Sequence, residues 1–536
     1  EGFTPISMLF FIQLAIQQDE KPVFKRYCVY KNPLLNVVPD CNVQEFSPEI
    51  AAFINASLEM NKTGWSFFAS NSNPDLTPKE QMRAVGYAEG AIFTDQIFNH
   101  RSNIHDYFLK NYFGEAKDFP AELYQFFADN IVWMRKQVRL NRDSYWKQIA
   151  YQLAHFDGLV QGYQQKCADS QFLSELDFMI FMSSGDLLDV VKFALPDARP
   201  HLNTPEIDEI NDHCSGLVRI TGDDIFLSQT AWFTYGAMTR VSKEFTFNLG
   251  ANARVVKFSS YPGFSYSFDD WYSMDSGFML FETTDSVFND DFYDLCSVRS
   301  LMTWIRAPVA ARLAKDAEHF ATLISKYNSG TYNNQWVMVD LKKFDAGAAE
   351  DMIWVTEQIP GKASSVDATE STLRRGYFPS HNLPSMFEVW QVSGYPAQSL
   401  KNFTKNFADS PRAKMFQRDA PKVDSIEKMK KIMRQNDYLH DPLSKDVNGN
   451  IDAGLAISAR YDLRTDHTVK AYGGFDNKIG SYNRKTKAFK SHFISGPTND
   501  NVPSWKFLDN LWCPRLGLPD GPYEHEWVEE DMVLRK

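Results

Sequence analysis

The chain has 536 residues, 43% hydrophobic and 23% charged, the proportions of a soluble globular protein with ample length for a deep core. Its formal charge of −12 argues against nucleic acid or an anionic membrane surface as partner, since either favours a basic face. No stretch approaches the roughly 20 apolar residues that span a bilayer. The 6 cysteines, widely spaced and without a Cys-x-x-Cys, exclude a disulfide miniprotein and a zinc cluster.

The apolar run at 6–16 has the length of a signal-peptide core and reads equally as a trimmed secretory leader or as a first apolar element. Cys28 and Cys41 can close a small loop in an oxidising compartment, although spacing does not establish the pairing. Asn55, Asn61 and Asn402 each open an Asn-x-Ser/Thr glycosylation triplet, which tilts the compartment toward a secreted or lysosome-like one.

From about residue 78 to 191, apolar residues recur at three-and-four spacing. This predicts helices over 81–100, 121–139, 145–167 and 176–193, the last interrupted at Ser184-Gly185-Asp186. Residues 196–212 hold Pro196, Pro200, Pro205 and an acidic run, and read as an exposed connector. After Cys214 the pattern predicts strands over 216–220, 225–228, 245–249, 255–259, 277–282 and 335–340, with helices over 300–327 and 425–434. A helix-rich part, 1–213, whose end at about 196–213 is linker, and a sheet-rich part, 214–536, suggest an α+β sheet sandwich with helical outer layers. The 42 Phe are mostly packing residues, with a lipid-accommodating pocket as the alternative use.

Cys214 opens the segment Cys214-Ser215-Gly216-Leu217-Val218. On its own such a thiol is more often a buried structural cysteine. Other segments change that reading. They are Gly86-Tyr87-Ala88-Glu89-Gly90, Ser184-Gly185-Asp186-Leu187-Leu188-Asp189, Ser259-Ser260-Tyr261-Pro262-Gly263, Leu280-Phe281-Glu282-Thr283-Thr284, and the amide-rich Asn328-Ser329-Gly330-Thr331-Tyr332-Asn333-Asn334-Gln335. With these motifs, in this order, the chain resembles the phospholipase B-like family of N-terminal nucleophile hydrolases.

The resemblance implies a four-layer αββα sandwich and a precursor that cleaves itself between His213 and Cys214, leaving two fragments in one body. It makes Cys214 the nucleophile. The freed α-amine, with an ordinary pKa of about 8, serves as base. Carried over by position, Asn382 stabilises the oxyanion, while Trp232, Thr284 and Arg412 line the pocket. Arg412 is also suited to a phosphate or carboxylate. The implied reaction is hydrolysis of acyl ester or amide bonds in a small acyl substrate, phospholipid by the family label, without metal or other cofactor. Gln229 stands where the family has histidine, which places an untitratable side chain at a pocket position and puts activity in question. The rival expectation is a non-catalytic luminal glycoprotein that keeps the fold and binds lipid or a protein. His381, beside Asn382, is expected to be structural.

Overall fold

The structure, a computed structural model, describes residues 22–32, 34–202, 214–466 and 468–535. The run at 6–16, His213, its bond to Cys214 and most of the 196–213 connector lie outside the described residues.

The protein is α+β. Among the described residues, eleven strands form one sheet. Its order is Lys362–Asp367, Ile353–Ile359, Asn334–Asp340, Phe278–Thr284, Trp271–Met274, Val255–Ser260, Arg240–Thr246, Trp65–Ser72, Ile50–Ser57, Lys25–Tyr30, Asn36–Pro39. Its one parallel pairing joins Trp65–Ser72 to Arg240–Thr246, with Phe68 opposite Lys243, so chain from before and after Cys214 shares one sheet. A six-stranded antiparallel sheet runs Tyr377–Ser380, Ser215–Thr221, Asp224–Thr230, Asp476–Asn483, Phe489–Ser495, Val528–Asp531.

The two-residue period of a strand decides what each face meets. In Asn334–Asp340, Trp336 and Met338 pack with residues of helices Pro78–Ile92, Ser144–Gln164 and Thr303–Leu313. Val337 and Val339 instead join Val218, Ile225 and Leu227 of the smaller sheet. That sheet's other face presents Leu217, Phe226 and Ile479 to Met415, Phe416 and Met429 of helices Pro411–Asp419 and Ile426–Met433. Gly216 permits the close approach of the sheets, because a Cβ there would fall 2.3 Å from the Phe281 ring.

Helices Pro78–Ile92 and Ser144–Gln164 cross at backbone contact. A Cβ on Gly86 would lie 2.1 Å from the His155 carbonyl oxygen, and one on Gly158 would lie 2.1 Å from that of Arg83. Gly90 and Gly162 repeat the arrangement one turn on, against Leu159 and Tyr87. This fixes Glu89, between two of these contacts, in the interior, where it pairs with Lys243 at 2.7 Å and accepts from Gly263 N at 2.8 Å.

Several elements differ from the sequence expectation. The helix expected over 81–100 breaks at Phe93 into Pro78–Ile92 and Thr94–Phe108, where Thr94 Oγ1 donates back to the Gly90 carbonyl, a contact that bends helices. The helix expected over 300–327 is Thr303–Leu313 and Ala317–Ile324, restarted by Asp316 accepting from His319 N. The strand expected over 245–249 is Arg240–Thr246. Among the described residues four strands of the large sheet precede Cys214, so the first part is less purely helical than its pattern implies. Cys28 and Cys41 form a disulfide with Cα atoms 5.6 Å apart.

Candidate active site

Cys214 directly precedes strand Ser215–Thr221, whose register sets Ser215 opposite Thr230 and Gly216 opposite Gln229. The residue is buried and lines a cavity that opens to solvent. Leu188, Phe233, Phe268, Val287 and Phe475 give that cavity apolar walls. Its φ of 81° lies in the left-handed region that a residue with a Cβ seldom adopts, a conformation costing about 1–3 kcal/mol. Burial pushes the Cys214 thiol well up, and the neighbouring Glu282 adds to the rise; Lys478 and the Trp232 backbone N–H at the sulfur work the other way.

A closed set of charges lies beside the thiol. Asp269 Oδ2 receives Lys478 Nζ at 2.5 Å and Arg240 Nη2 at 2.8 Å. Asp476 meets the same two cations at 2.9 Å each and accepts from Ala231 N at 3.0 Å. Burial opposes the charge on Asp269, yet Arg240 and Lys478 hold its carboxyl below the usual range. Two further carboxyls behave oppositely. Burial, reinforced by neighbouring acids, pushes Asp270 and Glu282 well up. Tyr332 OH lies 2.5 Å from the Phe268 carbonyl and 3.0 Å from Glu282 Oε1. A hydroxyl has one proton to give; given to Phe268, it leaves Glu282 to donate, which agrees with a neutral acid.

The Ser184–Asp189 motif lines the cavity with Ser184, Gly185, Leu188 and Asp189 and also orders a neighbouring loop. Asp186 accepts from Thr331 Oγ1 at 2.6 Å and Thr303 Oγ1 at 3.2 Å. Asp189 accepts from Tyr332 N at 2.9 Å and Asn333 Nδ2 at 3.2 Å. The two carboxylates thereby clamp the amide-rich loop, and Tyr332 from that loop lines the cavity. Gly185 leaves room for it, since a Cβ there would sit 2.8 Å from the Tyr332 ring.

Of the residues singled out in the sequence, Cys214, Trp232 and Thr284 line the cavity. Arg412 is behind its wall: Nη1 donates to the Cys214 carbonyl at 2.7 Å and the guanidinium stacks on Trp232 at 4.4 Å. Asn382 Nδ2 donates 2.6 Å to the Thr284 carbonyl and so braces that wall. Gln229 is fully buried, and Nε2 donates to the carbonyls of Asp269 at 2.6 Å and Glu282 at 2.7 Å. It ties two strand ends beneath the thiol and does not appear on the cavity lining among the described residues. His381 is buried by Phe407 and Phe416. Asn61 is exposed, Asn55 is half-buried in strand Ile50–Ser57, and Asn402 lines a second cavity.

Sequence reasoning singled out the Asp269–Tyr272 segment as polar within apolar surroundings but missed Lys478, Arg240 and the roles of Asp269, Glu282 and Tyr332. The last two sit inside quoted motifs, whereas nothing local to Lys478 marks it. Among the described residues no three His, Cys, Asp or Glu are grouped to hold a metal ion, and no helix is long and apolar enough to cross a membrane.

Fold and site together define an α+β protein with a buried thiol at the wall of an aromatic-rich chamber. A family model described as Phospholipase B matches residues 51–529. Phospholipase B-like 1 of Bos taurus is 31% identical over 545 residues, covering 98% of this chain and 96% of that protein. Phospholipase B-like 1 of Rattus norvegicus is 33% identical over 500 residues, covering 90% and 87%. Phospholipase B-like protein C of Dictyostelium discoideum is 32% identical over 495 residues, covering 88% and 85%. The chain belongs to the phospholipase B family.

Proposed function

We propose that the protein is an acyl hydrolase of the N-terminal nucleophile type, acting on phospholipid esters after cutting its own chain before Cys214. The observation that carries this reading is the placement of Cys214, a thiol at the head of a strand, on an apolar cavity, with its backbone held at a φ of 81° and its carbonyl gripped by Arg412. The packing of helices, large sheet, small sheet and helices supports the αββα layering of that class. The parallel pairing of Trp65–Ser72 with Arg240–Thr246 supports fragments 1–213 and 214–536 staying in one body after cleavage.

In the first reaction Cys214 Sγ attacks the His213 carbonyl carbon and forms a thioester. The C–N bond breaks and the Cys214 nitrogen takes the proton. Water then cleaves the thioester, leaving the His213 carboxylate and a Cys214 with free thiol and free amine. In turnover that amine accepts the thiol proton, near its ordinary pKa of about 8. The thiolate adds to the substrate ester carbonyl, the alcohol leaves with the proton, and water hydrolyses the acyl thioester. The Trp232 N–H favours the thiolate, and Asn382, bracing Thr284, supplies an amide next to the cavity for the oxyanion. The acyl chain lies among Leu188, Phe233, Phe268 and Phe475.

The Cys28–Cys41 disulfide and the exposed Asn61 triplet favour a secreted or lysosome-like compartment. The rival, a non-catalytic lipid- or protein-binding glycoprotein, draws on the buried, raised thiol and on Gln229. N-terminal sequencing and intact mass of the purified protein decide between them. A second chain beginning at Cys214, lost together with ester hydrolysis in Cys214→Ala, is the expected result. A chain that stays whole through acidic incubation and hydrolyses no lipid sinks the proposal.

A further inference from the structure

A smaller pit beside helix Thr94–Phe108 shares two lining residues with the Cys214 cavity, Phe108 and Ser184. These two buried side chains are the partition between them. The Phe108 ring packs on Tyr112 at 5.5 Å and on Phe233 at 6.3 Å, both of which line the Cys214 side. Phe233 in turn meets Phe268 at 5.9 Å. A row of rings thus runs from beside Asp269 to the partition. At Phe108 the helix passes directly into a π-helical turn, Leu109–Phe113, which carries Tyr112. Such turns are rare and gather at functional sites.

The pit is graded from carbon to polar groups. Ile104, Phe119, Ile180, Phe181 and Leu187 are buried, whereas Arg101, His105, Tyr124 and Asp177 are half-buried. The apolar side chains therefore make its inner part and the polar ones its outer end. Those polar groups already have partners. Arg101 Nη2 lies 3.8 Å from Asp177 Oδ1, Tyr124 OH donates to Asp118 Oδ1 at 2.8 Å, and His105 Nε2 lies 3.3 Å from the same oxygen. On the partition itself, Ser184 Oγ donates to the Phe181 carbonyl at 2.5 Å. Hydrocarbon entering the inner part strands no polar group there.

An ester with its carbonyl at Cys214 has one long apolar arm, and the row of rings directs the end of that arm toward Phe108. We propose that the pit is a distal acyl subsite and that the Phe108 ring, with Ser184 beside it, sets the length of acyl chain the protein accepts. The proposal rests on the acyl-hydrolase reading. With the ring in place, a chain stops against it. With the ring removed, the chain runs on into the carbon-lined space between Ile104 and Leu187. Each methylene that leaves water for such a space strengthens binding about fourfold. Chains that end short of the ring do not sense it.

Saturated fatty acids from octanoate to stearate, displacing a fluorescent fatty acid from the purified protein, are the probes. Affinity is expected to climb about fourfold per methylene and then to level off at one length. Phe108→Ala should carry the climb on by about two methylenes, about sixteenfold on acids past the old limit, and leave shorter acids within about twofold. Phe108→Leu, which keeps most of the volume, should move the limit the same way by a smaller step, and it carries the test if the alanine chain does not fold. Adding Ile104→Phe to Phe108→Ala should restore the limit, because Ile104 lies one turn back on the same helix and lines the pit but not the Cys214 cavity. The proposal is overturned by a limit that neither Phe108 substitution moves, by an extended limit that Ile104→Phe leaves in place, by a wild-type affinity that climbs without a limit, or by no saturable binding of any acid. Binding needs no turnover, so a chain that neither cuts itself nor hydrolyses ester can still show the limit. A working hydrolase whose chain-length preference ignores Phe108 overturns this proposal alone.

Discussion

Arg412 Nη1 lies 2.7 Å from the carbonyl oxygen of Cys214, across 198 residues of chain. The residue expected at the substrate phosphate therefore also holds the backbone of the proposed nucleophile, and its guanidinium is stacked on Trp232 while doing so.

Lysine cannot reproduce that combination of in-plane donor and ring stacking. Arg412→Lys should slow the chain break before Cys214 about tenfold, the equivalent of losing roughly 1.4 kcal/mol from a charge-assisted bond. A time course on a denaturing gel reads it. Processing at the wild-type rate would show that the grip on Cys214 does not matter.

Gln229 spends both amide protons on two buried carbonyls. A neutral imidazole has one N–H to give, so Gln229→His should strand one acceptor and destabilise the fold by about 1–3 kcal/mol. We expect a lower urea midpoint and no gain in processing. A faster chain break in the variant would instead restore the view that this position serves catalysis.

Gly158→Ala tests the helix crossing. Helix propensity alone favours alanine by about 1 kcal/mol, yet the new Cβ would stand 2.1 Å from the Arg83 carbonyl oxygen. Overpacking of this kind costs about 1–3 kcal/mol or more. The expected sign is therefore loss of stability on denaturation, against the propensity.

Asp186 gives a pH prediction. Burial pushes its carboxyl up to about 6 from an ordinary 3.8. Between those values the folded state keeps a proton that the unfolded state releases. Its contribution is thus complete below about pH 4 and is lost as pH rises through about 6, by about 3 kcal/mol in total. Asp186→Asn has no such proton. Its stability relative to wild type, from urea denaturation, should improve by about that amount between pH 4 and pH 7, and a constant difference would refute the assignment.

Local order was readable where one periodicity holds over many residues. Helices Ala121–Leu140 and Ser144–Gln164 fall within a few residues of the pattern, because each buries a three-and-four stripe. Strand Arg240–Thr246 defeated the same reasoning. Its first residues, outside the expected strand, include Arg240, Lys243 and Glu244, which pair inside the fold with Asp269 and Asp476, Glu89 and Lys257. No window of sequence contains those partners.

The sequence by itself determined the family, the thiol at the head of a strand and the motifs that surround it, since each is carried by residues adjacent along the chain. The tertiary structure alone decided that Arg412 reaches the Cys214 carbonyl, that Gln229 is a strand tie and that Glu282 and Lys478 set the thiol's surroundings. Charge and burial act through space, and here they act between residues tens to hundreds of positions apart.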